Sequence, residues 1–145
     1  LGSMDVLCTD KTGTLTEARI SLSRRVDADG NDSARVAEIA FLNSRFQEGI
    51  RNPLEDAIRA LRGIDAGGWR KVGEVPFDFE RRRLSVVVEA PGGGGRRLLI
   101  TKGAPESIIE RSAAFEAGGH VTQLDAATRQ ACAAVHEHMS EDGAF

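Results

Sequence analysis

Residues 4–16 set the tightest constraint on what this chain can fold into. Met4 to Cys8 is a short apolar, strand-like run, and it delivers Asp10 into a loop, Thr9-Asp10-Lys11-Thr12-Gly13-Thr14, rich in hydroxyls and carrying one glycine. A strand ending in such a loop is how a nucleophilic aspartate is presented to a phosphoryl group. Lys11 adds a cation beside an incoming anion, and Gly13 lets the backbone turn closely around it. Thr12 has no useful acidity near neutral pH, so it cannot serve as a general acid or base, and a phosphorylated Asp10 would be long-lived. An exposed turn after an edge strand would explain a glycine and a polar neighbour, but not the whole string.

The remainder reads as one mixed α/β unit without repeats. A 145-residue chain that is 41% hydrophobic and 28% charged fits a single ordinary domain. No apolar run approaches the roughly 18 residues needed to span a bilayer, so direct membrane insertion is not expected. A net charge of -3 argues against nucleic acid or an anionic membrane surface as the main partner. Cys8 and Cys132 make no CxxC pair, which suits a reducing cytoplasm.

Alternation over Arg19 to Val26 predicts a strand, followed by a loop over 27–32. Ser33 or Asp32 can cap a helix carrying Val36, Ile39, Ala40, Leu42 and Phe46. Asn52-Pro53 opens a second helix to about Arg62. Strands are expected near Trp69 to Val75, Leu84 to Glu89 and Arg97 to Lys102, the last two as a hairpin. Pro105 opens a helix to about Ala117, and Asp125 caps a final one.

Two tempting motifs fail on context. The run Gly92 to Gly95 lacks the Lys-Ser/Thr and the following helix of a phosphate loop, and leads into Arg96-Arg97 and a β-like segment. His136 and His138 are two apart on a predicted helix and cannot chelate one metal in the i, i+4 manner. All three histidines, His120 included, read as surface residues.

A second constellation runs from Pro76 to Val88 and resumes at Thr101-Lys102-Gly103-Ala104-Pro105-Glu106. An aromatic at a strand end beside Arg81, Arg82 and Arg83 can seat a nucleotide, its base on the ring and its phosphates on the cations. Lys102 follows Leu98 and Ile100 along one strand face, so its stem can line a dry pocket with the ammonium at the mouth. Gly103 removes a side chain where a ligand or another strand comes close. The plainer alternative makes Phe77 and Phe79 ordinary core and the arginines a solvated rim.

The string Asp10-Lys11-Thr12-Gly13-Thr14 resembles the phosphorylation signature of P-type ATPases, ion pumps that pass through an aspartyl phosphate. Phosphatases of the same haloacid-dehalogenase-like superfamily usually carry an aspartate where this chain has Thr12. The second constellation resembles the nucleotide-binding domain of those pumps. On this sequence the resemblance implies that Phe77 stacks on adenine, that Arg82 and Lys102, with Gly103, approach the phosphates, and that Glu55, in Asn52-Pro53-Leu54-Glu55-Asp56-Ala57, approaches the adenine amino group. Taken alone, Glu55 is a helix-surface carboxylate. The resemblance also implies ATP and Mg²⁺ as cofactors, with Asp10 and the Thr12 carbonyl as metal ligands and Asp10, Lys11 and Thr12 as catalytic residues.

The expected fold is α/β (α+β), a mainly antiparallel sheet flanked by helices. Residues 1–17 would be the start of a phosphorylation domain, and residues 18–145 a nucleotide-binding domain truncated at its C-terminal end. The expected partners are ATP or ADP and the remaining pump domains: actuator, the rest of the phosphorylation domain and transmembrane helices. The segment Phe77 to Val88 is most similar to bacterial magnesium-transporting P-type ATPases, which implies a cytoplasmic domain of an inner-membrane protein. The rival readings are a Ca²⁺ or H⁺ pump, a stand-alone nucleotide-binding module with an idle Asp10, and a small dehalogenase-superfamily phosphatase, which Thr12 disfavours.

Overall fold

The computed structural model describes residues 20–49, 52–92 and 94–141. Its centre is a three-stranded antiparallel sheet in the order β1-β2-β3, built from β1 (Arg70–Asp78), β2 (Arg83–Glu89) and β3 (Arg97–Gly103). Alternation along β2 sends Leu84, Val86 and Val88 to one face, where Val86 pairs with Ile100 and Val88 with Leu98. Helix α1 (Ala34–Phe46) lies against β2 and β3 on that face. Leu42, Val86 and Val88 are fully buried there, with Ile39, Phe41, Phe46 and Trp69 around them. Each such side chain stabilises the fold by roughly 2 kcal/mol. Asn43, also buried, donates through Nδ2 to the Ile100 carbonyl at 3.1 Å and ties α1 to the edge strand β3.

The helix starts follow their expected caps. Ser33, not Asp32, caps α1 by accepting from the Val36 amide at 3.3 Å, while Asp32 instead pairs with Arg25. Asn52 accepts from the Glu55 amide at 3.0 Å and Pro53 takes the first turn of α2 (Pro53–Arg59). Asp125 accepts from the Thr128 amide at 2.8 Å at the head of α4 (Ala126–Glu141).

Three expectations are corrected. Within the described part of Arg19 to Val26 there is no strand, only an isolated bridge between Val26 and Asp32; among the described residues no strand lies beside it to pair with. Helix α2 ends at Arg59, where the Leu61 amide turns onto the Ile58 carbonyl at 3.2 Å and tightens the last turn. Helix α3 (Pro105–Arg111) stops short of Ala117. Its last carbonyls are taken by Arg129 of α4, which reaches Ile109, Glu110 at 3.2 Å and Ser112 at 2.6 Å. The chain beyond forms a hairpin of β4 (Ala114–Ala117) and β5 (His120–Gln123), turned by Gly118 and Gly119 at φ +56° and +81°. Two successive left-handed residues suit the tight hairpin turn that matches strand twist.

The loop between β2 and β3 carries the glycine run and closes with the Ala90 amide on the Arg96 carbonyl at 2.9 Å. It leads into a strand, as the rejection of a phosphate loop requires. Arg70, Glu89 and Arg97 form a cross-strand row beside it, with contacts of 2.9 and 3.2 Å.

Candidate nucleotide site

The residues singled out in the second constellation meet at the end of the sheet opposite the glycine loop. Strand β1 carries one extra residue between Val75, which pairs with Ser85, and Asp78, which pairs with Arg83. Pro76 and Phe77 therefore together oppose Leu84, and Leu84 in turn pairs with Lys102. Alternation back from Asp78 turns Phe77 toward the face shared by Leu84 and Lys102. Without the bulge it would share a face with Val75. The row Phe77, Leu84, Lys102 spans two strand spacings, about 10 Å, the width of a purine nucleoside.

Phe77 is 51% exposed, and Phe79 stands edge-on to it with ring centroids 5.2 Å apart. Neither is core, so that alternative fails for both rings. At the other end of the row, the Lys102 ammonium pairs with Glu55 Oε1. Glu55 is only 2% exposed, which corrects its reading as a surface carboxylate. Its position in the first turn of α2 is fixed by the Asn52 cap, and α2 packs against α1. The ammonium of Lys102 is accordingly turned inward onto a buried partner rather than standing free at a pocket mouth.

Beside this pair are two polar neighbours that sequence reasoning missed. Ser44, near the end of α1, and Gln47, its C-cap, stand three apart on the side that meets Glu55. Both favour the ionised carboxylate, although Glu55 Oε2, Ser44 Oγ and Gln47 Oε1 are each buried without a hydrogen-bond partner. Burial pushes the Glu55 carboxyl up. The hydrogen bond and charge of Lys102, with polar Ser44 and Gln47 beside the carboxylate, outweigh it, and the net direction is down. Glu55 is thus an ionised acceptor with one oxygen in hand.

Arg82 occupies the β1–β2 turn in a left-handed conformation, φ +50°, held by its amide on the Asp78 carbonyl at 2.7 Å. Its guanidinium pairs with Glu106 of α3. Both side chains are mostly exposed, so the pair is weak and an anion could displace the carboxylate. The close neighbour of Gly103 is protein rather than ligand. A Cβ there would lie 2.5 Å from the Arg82 carbonyl oxygen and 2.9 Å from Arg83 Cα. Asp10, Lys11 and Thr12 lie outside the described residues.

Other features do not compete with this site. Among the described residues no three His, Cys, Asp or Glu side chains converge to hold a metal, and no helix is long and apolar enough to cross a membrane. His120 and His138 are exposed, but His136 is half-buried and corrects the surface reading. It lines a cavity of about 540 Å³ under α4 with Val36, Ile109, Phe115 and Val135. That cavity carries none of the expected residues, and polar convergence is the better guide here than volume.

A 42% identity over 98% of the chain links it to a magnesium-transporting ATPase, P-type 1, of Salmonella typhimurium, of which it covers 16%. A protein of the same name from Escherichia coli K12 is 43% identical over 86% of the chain and 14% of its own length. A probable cation-transporting ATPase I of Mycobacterium tuberculosis is 28% identical over 99% of the chain and 10% of its own length. The chain therefore spans only about a sixth or less of these relatives. The family model for P-type ATPase cytoplasmic domain N matches residues 54–144, the stretch that carries Glu55, the three-stranded sheet and Lys102, and the chain belongs to that family.

Proposed function

We propose that this chain is the ATP-binding portion of a cation-transporting P-type ATPase, specifically a magnesium importer, and that ATP phosphorylates Asp10 to drive transport. The observation that carries the binding half is the row Phe77, Leu84, Lys102, closed by buried Glu55. An apolar floor about one purine wide, with an exposed ring at one end and an ionised acceptor at the other, suits an adenine base. Phe77 stacks on the base, Glu55 accepts from its exocyclic amine, Lys102 holds Glu55 in place at that end of the seat, and Arg82 meets the phosphates. Gly103 contributes by letting the 82–83 turn close onto β3, which holds Arg82 and Lys102 in one frame.

The donor set also fits Mg²⁺ in kind. Asp10 and the Thr12 carbonyl are hard oxygen ligands of the type this ion takes, and the bound ion would neutralise charge on the transferring phosphoryl group. Lys11 would hold the incoming phosphate beside the Asp10 carboxylate. Attack by that carboxylate forms the aspartyl phosphate and releases ADP. Thr12, lacking acidity, leaves the acyl phosphate to persist. We divide the chain accordingly, residues 1–17 to the start of the phosphorylation domain and 18–145 to the nucleotide-binding domain. The partners are ATP and the other domains of a pump in a cell membrane. The magnesium assignment follows the magnesium-transporting relatives, since selectivity would reside in membrane segments. Thr12 and the family match both disfavour the small-phosphatase alternative.

Titration with adenine nucleotides, followed by amide NMR shifts, tests the binding half. Affinity should be on the order of millimolar, about 4 kcal/mol, with ATP, ADP and AMP differing little. Phe77→Ala should abolish most of the response; a variant that still titrates like the parent would refute the placement of the base. In the full-length pump, Asp10→Asn should remove phosphorylation and transport while leaving nucleotide binding intact.

A further inference from the structure

We propose that Phe79 is a second aromatic wall of the base seat, meeting a purine that is seated against Phe77. The inference rests on the nucleotide-binding reading above and adds a residue which that reading leaves out. Phe79 is 90% exposed, more than any other large apolar side chain among the described residues. Leaving a phenyl ring in water forgoes the burial that normally places it inside.

The ring is held there by a built turn. Asp78 Oδ1 accepts the Arg81 amide at 2.7 Å, and the Asp78 carbonyl accepts the Arg82 amide at 2.7 Å. The Arg81 guanidinium reaches the Pro76 carbonyl at 3.1 Å, and Arg83 reaches the Arg81 carbonyl at 3.2 Å. These bonds bracket residue 79 on both sides. The exposure of its ring is therefore a product of a fixed frame and not of a loose tip.

The frame sets Phe79 perpendicular to Phe77, at 89° and 5.2 Å between centroids. Perpendicular rings at that separation leave a right-angled corner. A flat base seated in it stacks on one ring and meets the other at its edge, two contacts in place of one and with no backbone movement. Arg82, three residues on, carries a mostly exposed cation on the same turn. The ligand this corner takes is thus a flat, uncharged heteroaromatic group with an anionic tail, and Phe79 contacts its base portion.

Titration of the chain with ATP, adenosine and inorganic tripolyphosphate, for the parent, Phe79→Ala, Phe79→Leu and Phe79→Trp, tests this. Loss of the ring should weaken ATP and adenosine by the same factor, about three- to tenfold in Kd, in both the alanine and leucine variants. Tripolyphosphate should be unaffected, and tryptophan should keep or tighten binding. The exposed site means that the variants should retain the parent's amide spectrum. Parent-like adenosine binding by Phe79→Ala, or an equal loss for tripolyphosphate, would overturn the role of Phe79 alone. A parent chain that binds no adenosine would overturn both this inference and the base seat itself.

Discussion

Replacing Lys102 by methionine would leave the Glu55 carboxylate buried without its cation, which makes it the sharpest probe of the site. Breaking a fully buried pair by removing one partner costs about 3–5 kcal/mol. Here Glu55 is 2% exposed but the Lys102 side chain is 33% exposed, so the shell hiding the carboxylate is thin and the low end applies. We expect about 2–3 kcal/mol for Lys102→Met, or a melting point lower by roughly 6–15 °C at this chain length. Glu55→Gln keeps the shape, removes the charge and leaves an ammonium that water can reach, so it should cost about 1 kcal/mol. With both charges gone, the double variant should be at least about 1 kcal/mol more stable than Lys102→Met alone.

The pH dependence should change sign between parent and variant. In the parent, the folded-state pKa of Glu55 lies below its usual value, so the pair's contribution is present above about pH 4.3 and is lost as pH falls through the folded pKa. In Lys102→Met the burial that raises the pKa is no longer outweighed by the lysine. The folded protein then prefers the neutral acid, and stability should fall as pH rises from about 4.3 through the new folded pKa. Urea unfolding of the parent, both single variants and the double variant at about pH 3.5, 5 and 7 reads all of this, the parent's loss below about pH 4.3 and the variant's above it. Equal losses for Lys102→Met and Glu55→Gln, additive in the double variant and with parallel pH slopes, would refute the argument that Glu55 is a buried, lysine-held anion.

Gly103→Ala would drive a methyl group into the Arg82 carbonyl and the Arg83 backbone, where a Cβ has 2.5 to 2.9 Å of room. It should cost about 1–3 kcal/mol and shift the amide resonances of 81–84, which NMR of the variant would show; unchanged resonances there would contradict the close approach. Arg129→Ala would uncap the end of α3 and free the Ile109, Glu110 and Ser112 carbonyls. We expect about 2 kcal/mol and faster amide exchange across 112–124, with α1 and the three-stranded sheet keeping their protection.

Local signals and long-range contacts divide what the sequence made legible. Caps were readable because they are local: Asn52-Pro53 and Asp125 place helix starts within a few residues of chain, and α2 and α4 begin there. Helix ends were not. The stop of α3 depends on a guanidinium 17 to 20 residues away. The β4–β5 hairpin carried a usable local cue, since Gly118-Gly119 lies between Phe115 and Val121 in alternating surroundings. The helix extended from Pro105 overrode it. The described part of Arg19 to Val26 shows the converse, an alternating pattern with no partner strand among the described residues.

The site divides along the same line, with one instructive exception. Phe77 and Lys102 could be picked out by position in a strand, whereas the burial of Glu55 and the neighbouring Ser44 and Gln47 arise from α1 packing on α2. What aims Phe77, however, was written locally. Pro76 has no amide hydrogen to give a ladder, and within a sheet a proline belongs on an edge strand or at a bulge. It has both here: β1 is an edge strand, and its pairing slips between Val75 and Asp78. The slip moves Phe77 from the Val75 face to the face of Leu84 and Lys102, and the turn that follows must then fold tightly enough to need a left-handed Arg82 and a bare Gly103. Pro76, Phe77, Arg82 and Gly103 therefore form one geometric device. A proline in the strand re-aims the ring, and the missing side chain at 103 lets the 82–83 turn close beside Lys102.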